Sequence, residues 1–243
     1  MTPYERIYLL ASPGLLPLYG IVRKELRAAS RRFPAAPAIV DIGGRKSQYT
    51  IGIRGNVTIT DLPRESAIQH DLHLGITDRI IQEIQRTRSN VRRVCFDDMS
   101  RTSLPPSSFD IAVCVEVLEH VQEDARFIEN VDRVLKPGGC FIATTPNGDA
   151  VRNTNPDHVR HYTGQQLRAM LEERFPSVRV LYAVRHSRFR ARGLYAFVPK
   201  RLLFNAGILA ANAINRFESR YAADGNRPDD MRHLLAVAWK DQA

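Results

Sequence analysis

The feature that most constrains this chain is an alternation of two hydrophobic periods. Short apolar runs rich in Val, Ile and Ala recur between stretches whose apolar residues repeat every three or four positions. The runs Ala38–Ile42, Asn56–Thr60 (closing on Asp61), Val91–Phe96, Asp110–Val115, Cys140–Thr145, Val178–Val184 and His233–Trp239 read as strands. Between them, Ile80, Ile81 and Ile84 predict a helix over 77–88, and Leu118, Val121, Ile128, Val131 and Leu135 predict another, stopped by Lys136-Pro-Gly-Gly. Thr163-Gly-Gln-Gln166 is a capping box opening a helix through Leu167, Met170 and Leu171. Residues 1–35 read as one or two helices carrying Leu15, Leu18, Tyr19, Val22 and Leu26. Strands apolar on both faces, alternating with helices, imply an α/β domain with a mostly parallel sheet. Such a sheet takes its ligands beyond the carboxyl ends of its strands.

Composition excludes several classes. No run of 18 uncharged apolar residues exists, so no spanning helix is expected. The first twenty residues carry Glu5 and Arg6 and are broken by Pro13 and Pro17, and they read as structure rather than a signal peptide. Cys95, Cys114 and Cys140 are odd in number, fit no zinc or CxxC spacing and sit in apolar runs, as buried thiols of a reducing cytoplasm do. Lys and Arg number 35 against 26 Asp and Glu, a net charge of +9. From Arg185 to Arg220 there are eight cations and one anion, Glu218, so most of the excess lies in one segment. A general nucleic-acid surface is therefore not implied.

The polar residues at the predicted strand ends suggest a ligand. Strand one runs into Asp41-Ile-Gly43-Gly44-Arg45-Lys46-Ser47, and twenty residues after Asp41 strand two ends in Asp61. Glycines in the first turn admit a ligand to the backbone, and an acid at the next strand end can accept both ribose hydroxyls. Strand three ends in Asp97-Asp98-Met99, where a carboxylate can accept from an adenine amino group. No G-x-G-x-x-G fingerprint or phosphate loop is present. The combination favours an adenosine that needs no pyrophosphate.

Two longer stretches carry a resemblance. Ser108-Phe-Asp110-Ile-Ala-Val-Cys-Val-Glu116-Val-Leu-Glu119-His120-Val, and Arg133-Val-Leu-Lys-Pro-Gly-Gly139 followed by a strand and Thr145-Pro-Asn147, closely resemble the class I S-adenosylmethionine-dependent methyltransferases of the type 11 group. The resemblance covers roughly 37–185 and the last strand. It implies a Rossmann-like seven-stranded sheet with an antiparallel last strand, helices on both faces, and S-adenosylmethionine as cofactor. It implies that Gly43 and Gly44 line the methionine and ribose edge and that Asp41 bonds loop amides or the ligand's amino group. Asp61, followed by Leu62, would hold the ribose diol. Asp98, eleven residues before Phe109 as in the family, would hold the adenine amino group, with Met99 against the ring. Val115 and Glu116 would lie near the sulfonium. The family reads D-x-G-x-G-x-G in the first loop; this chain has Arg45 and Ser47 at the last two glycine positions, and residues 45–55 lack a helical stripe.

Methyl transfer to a hydroxyl gains from a general base. The candidates are His120, just past strand four, and His158 and His161 in Asn155-Pro-Asp-His158-Val-Arg-His161-Tyr162. Glu116-x-x-Glu119-His120 with a later His also resembles the metal site of small-RNA 2′-O-methyltransferases, but no metal is assigned here. The segment before the last strand carries an apolar stripe, Leu202, Leu203, Ala206, Leu209, Ala210, Ala213, Ile214 and Phe217, flanked by Lys200, Arg201, Arg216 and Arg220. Upstream of it, residues 188–199 interleave Arg with aromatics. The stripe fits a lid over the acceptor pocket, a homodimer face, or contact of 186–220 with an anionic membrane. The expectation is a cytoplasmic S-adenosylmethionine-dependent O-methyltransferase acting on a small molecule, a glycan or a lipid-linked acceptor, peripheral at the inner membrane face if it meets a membrane. Nucleic acid is not expected as a partner. Its parts are an N-terminal helical lid or interface (1–35), a cofactor-binding core (37–185), a basic amphipathic insertion (186–231) and a last strand (232–240). The alternatives are a metal-assisted RNA 2′-O-methyltransferase and a non-catalytic scaffold of the same fold.

Overall fold

The computed structural model describes residues 1–12, 16–63, 75–187, 189–194, 201–222 and 228–242. Pro13, Leu15, Arg188, Lys200 and the 195–199 part of the aromatic-basic run lie outside the described residues. The strands are β1 (Ala38–Ile42), β2 (Asn56–Asp61), β3 (Val91–Phe96), β4 (Phe109–Val115), β5 (Leu135–Pro146), β6 (Ser177–Arg185) and β7 (Met231–Trp239). The helices are α1 (Pro3–Ala11), α2 (Pro17–Arg31), α3 (Asp78–Thr87), α4 (Asp124–Val134), α5 (Gly164–Glu172), α6 (Arg190–Gly193) and α7 (Leu202–Ala222). The sheet order is 3-2-1-4-5-7-6. Pairs β1–β2, β2–β3, β1–β4 and β4–β5 are parallel, and β7 runs antiparallel to both β5 and β6.

The period of two in each strand splits the core into two layers. Val40 and Ile42 of β1 face one layer, with Phe127, Ile128 and Val131 of α4 and Leu167 and Leu171 of α5. Ile39 faces the other, with Leu18, Val22 and Leu26 of α2 and Ile84 of α3. α1 is opened by a Thr2–Glu5 capping box, and Glu5 also accepts from the Ser89 amide at 2.9 Å, which ties α1 to the end of α3. The capping box at Thr163–Gln166 opens α5 as expected.

One element differs from the sequence expectation. The helix expected from Leu118 to Leu135 is divided: Leu118–His120 is a single 3₁₀ turn, α4 starts at Asp124, and Leu135 already pairs with Phe109 in β5. Glu116 is the cause on the N-terminal side. Its φ of 55° bends the chain away from a helical start, and the Glu119 carbonyl accepts the Val159 amide (2.8 Å) from a distant loop instead of continuing a helix. After β1 the crossover helix of an ordinary βαβ unit is replaced by two 3₁₀ turns, Gly44–Lys46 and Gln48–Thr50. Parallel strands β1 and β2 are thus joined by a connection whose shape comes from side chains of other elements. From β1 the strands are added outward through β2 and β3 on one side and from β4 onward on the other, so the crevice at the carboxyl ends of β1 and β4 is the switch point where such folds bind ligands.

Candidate functional site

Gly43 is the first residue past β1 and has φ 67°, a left-handed turn that favours glycine. Gly44 is needed for a different reason: an added Cβ would stand 2.5 Å from the Asp41 carboxyl carbon folded beneath it. Asp41 is fully buried, and burial pushes its carboxyl up to about 6 against the pull of Ser47, Tyr49 and Arg88. Its Oδ1 accepts the Tyr49 hydroxyl at 2.6 Å, while Oδ2 has no hydrogen-bond partner. One oxygen of Asp41 is thus taken by a tyrosine that sequence reasoning missed. The loop itself is pinned from below. Buried Arg88 donates to Ser47 Oγ (3.1 Å) and to Thr50 Oγ1, and Asn90 donates to the Thr50 carbonyl (2.7 Å). Tyr19 of α2 packs edge-on against Tyr49 (5.6 Å between centroids), and its hydroxyl is pushed up by burial and then by Glu116 and Asp41 nearby. Arg45, at a family glycine position, donates to the Gly75 carbonyl at 2.8 Å.

The acids at the other strand ends stand along the same edge. Asp61 Oδ1 accepts the Leu62 amide at 2.8 Å, and Leu62 itself is exposed. Asp98 caps a 3₁₀ turn through the Ser100 amide at 2.9 Å and lies 3.5 Å from Arg101. Met99 is a correction: at 2% exposure it belongs to the core with Leu104, Leu118 and Phe127, because the turn capped by Asp98 directs it inward. Val115 is half-buried at the end of β4. Glu116 is held on both oxygens: Oε1 accepts the Thr144 hydroxyl (2.9 Å) and Oε2 lies 3.0 Å from Nδ1 of buried His233 on β7. His233 was invisible as a site residue because it lies inside an apolar strand far along the chain.

The three candidate imidazoles come together. His120 and His158 are 4.7 Å apart, edge to face, and His158 and His161 are 5.1 Å apart. Backbone carbonyls dictate their tautomers. His161 Nδ1 is 2.8 Å from the Val151 carbonyl and must donate to it. Neutral His161 then has a lone pair at Nε2, which accepts the proton of His158 Nδ1 at 2.8 Å. His158 is left with its lone pair at Nε2, and burial, then His120 and His161, lower its basicity, so it is neutral. His120 Nδ1 donates to the Asp157 carbonyl (2.9 Å), which in the neutral ring places the lone pair on Nε2. The segment is anchored to α4 by Tyr162 and Arg160, both bound to Asp124. Glu119 lies beneath, 1% exposed, with Oε2 lacking a partner, and burial and then Glu116 raise its carboxyl well above the usual range. One ligand atom from each of Glu119, His120 and His158 lies within 4.8 Å of the others.

Residues 52–143 match the family described as "Methyltransferase domain". That stretch is what the chain has in common with methyltransferase domains. The match opens at Gly52, within the connection between β1 and β2 and after Arg45, Ser47 and the two 3₁₀ turns. A probable S-adenosylmethionine-dependent methyltransferase of Mycolicibacterium smegmatis is 36% identical over 80 residues, 31% of this chain and 31% of that protein. The ubiquinone biosynthesis O-methyltransferase of Thiobacillus denitrificans is 28% identical over 138 residues, 55% of each. The chain thus spans from about a third to about half the length of the curated relatives it matches. A crystal structure of an S-adenosylmethionine-dependent methyltransferase from Archaeoglobus fulgidus superposes with a TM-score of 0.56 at 15% identity, covering 90% of this chain and 94% of that one, a likeness of fold. The domain's residues fit the family's cofactor by their chemistry. Carboxylates stand at the ends of β2 and β3, Gly43 just past β1 has the left-handed turn that lets a ligand approach the backbone, and the buried Asp41 Oδ2 is an acceptor without a hydrogen-bond partner. No described helix is long and apolar enough to cross a membrane.

Proposed function

We propose that this domain transfers a methyl group from S-adenosylmethionine to a hydroxyl of a small-molecule, glycan or lipid-linked acceptor. Asp61 would hold the ribose diol, Asp98 the adenine amino group, and Asp41 with the Gly43–Gly44 backbone the methionine end. The sulfonium supplies an already activated methyl group, so the protein has to align the acceptor, exclude water and take a proton. The single observation that carries the hydroxyl reading is the imidazole chain. The Val151 carbonyl, through His161, leaves His158 Nε2 unprotonated and neutral at the mouth of the site. A neutral imidazole held in one tautomer is a general base worth about 10²–10⁴-fold for a hydroxyl nucleophile. An O-methyltransferase name among the relatives supports the same reading. The test is transfer of labelled methyl groups to a panel of phenolic, sugar and amine acceptors, with products identified by mass. Transfer to hydroxyls that collapses in His158→Ala is expected; transfer to amines alone would overturn the assignment.

The Glu119–His120–His158 cluster favours one second reading, metal-assisted methylation of an RNA 2′-hydroxyl. An uncommitted carboxylate oxygen and two imidazole lone pairs are a donor set for a divalent cation. Each imidazole is oriented by a hydrogen bond on its other nitrogen, as metal-bound imidazoles are. Activity that is lost in chelator and restored by Mg²⁺ or Mn²⁺ would select this reading over the first.

A further inference from the structure

Helix α7 is amphipathic in the wrong sense for a helix on a protein surface. The residues it turns toward the domain are Ile208, Ala211, Asn212, Asn215 and Ser219, three of them polar. Those polar groups are bonded: Asn212 donates to the Gly193 carbonyl (3.1 Å), the Ser219 hydroxyl accepts the Arg185 amide (3.1 Å), and it donates to the Asn215 carbonyl (2.7 Å). The opposite face is apolar and open. Leu203, Ala206, Ala210, Ala213, Ile214 and Phe217 all fall within about 100° of arc and are all exposed. Leu203 is 90% exposed and Phe217 60%. The stripe runs about 21 Å along the helix at 1.5 Å per residue.

A second apolar face lies beside it. Ile7 and Leu10 of α1 are 68% and 83% exposed, and Arg216 on α7 donates to the Ser12 carbonyl at 2.8 Å, joining the two helices near Phe217. Cations border the stripe. Arg192 lies across Gly207, where an added Cβ would stand 2.6 Å from its guanidinium, Arg201 is exposed just before the first turn, and half-buried Glu218 is the acid of this helix. On α1 and α2, Arg6, Lys24 and Arg27 are exposed.

We infer that α7 and α1 form a docking surface for an anionic lipid bilayer. The helices lie in the interface plane, the Leu203–Phe217 stripe enters the acyl boundary, and the arginines meet the headgroups. Charge decides between this occupant and a second copy of the chain. A two-fold self-contact opposes the same patch on both copies and so sets one basic surface against another. A bilayer with negative headgroups neutralises them, and long arginine stems extend past buried aliphatic side chains to reach them. The inference does not depend on methyl transfer.

The experiment is co-sedimentation of the full chain with phosphatidylcholine vesicles, with and without roughly a third phosphatidylglycerol, at low and high salt. Binding to the anionic vesicles, weakened by salt and weak on pure phosphatidylcholine, is expected. Leu203→Glu/Phe217→Glu replaces exposed side chains only, keeps the thermal melt, and should lower vesicle binding at least about tenfold. Arg192→Glu/Arg201→Glu should remove the preference for phosphatidylglycerol. Failure of the wild type to bind, or equal binding by the Leu203→Glu/Phe217→Glu variant, overturns the proposal. So does a dimer in sedimentation equilibrium that this variant dissociates, since the stripe would then be covered by a second copy.

Discussion

The loops that follow β1 and β4 leave adjacent strands of one sheet edge, yet they are built for different tasks. After β1, the polar groups are buried and mostly spent on one another: Asp41 on Tyr49, and Arg88 on Ser47 and Thr50. After β4, the chain is held by the Glu119 carbonyl and by imidazoles bound to the Val151 and Asp157 carbonyls, and the remaining nitrogen lone pairs stay at the surface of the site. Buried polar networks set stability and shape, and half-exposed, oriented lone pairs set chemistry. Substitutions in the first loop should therefore move folding and cofactor affinity, and those in the second should move turnover.

The largest expected effect lies in the second loop. His158→Ala should lower kcat about 10²–10⁴-fold in the methyl-transfer assay, roughly 3–5 kcal/mol of barrier, with S-adenosylmethionine affinity by calorimetry unchanged. A parallel loss of affinity would erase the division between the loops. Next comes Asp41→Asn, which keeps an acceptor for Tyr49 and removes a buried charge. Native Asp41 has a carboxyl near 6 against an ordinary 3.8. The native state thus holds its proton more tightly than the unfolded chain, and ionisation costs about 3 kcal/mol above pH 6. Wild-type stability in urea should rise as pH falls from 7 toward 4. Asp41→Asn should be more stable than wild type at pH 7 and should vary less steeply over that interval, and a variant with the wild-type slope would refute the assignment.

Asp61→Ala removes the proposed ribose contact. Calorimetry should show S-adenosylmethionine and S-adenosylhomocysteine both weakened by about 1.5–3 kcal/mol, more than tenfold, with the thermal melt little changed. The smallest effect sharpens the proton chain. His161→Gln keeps a side-chain acceptor near His158 Nδ1 and should cost about tenfold in kcat, whereas His161→Phe should approach the His158→Ala level at unchanged KM. Equal rates for the two variants would show that His161 only fills space.

Much of this architecture was legible because it rests on local patterns. The β1, β2 and β3 strands, α3 and the capped α5 lie within a residue or two of where period and capping chemistry put them. The Gly43–Gly44 turn and the acids at the ends of β2 and β3 were equally readable, since ligands of such sheets meet strand ends. Illegible were the residues whose roles depend on distant neighbours. Tyr49 reads as an ordinary apolar position until Asp41 lies below it, and Tyr19 and His233 reach the edge from opposite ends of the chain. Met99 read as a ring-packing residue beside Asp98, but the capped turn sends it into the core.

Helices α4 and α7 mark the boundary between the two kinds of information. In sequence both are amphipathic, with apolar residues at helical spacing. In the fold, α4 buries Phe127, Ile128, Val131 and Val134 against the sheet, while α7 turns Asn212, Asn215 and Ser219 inward and Leu203 and Phe217 outward. The sequence by itself determined the periods, and with them the strand and helix inventory and the acidic strand ends, because spacing along one backbone decides which side chains share a face. Which face is buried was decided only by tertiary structure. The groups that satisfy Asn212 and Ser219, the Gly193 carbonyl and the Arg185 amide, belong to other segments, and only the closed fold brings them within hydrogen-bonding reach.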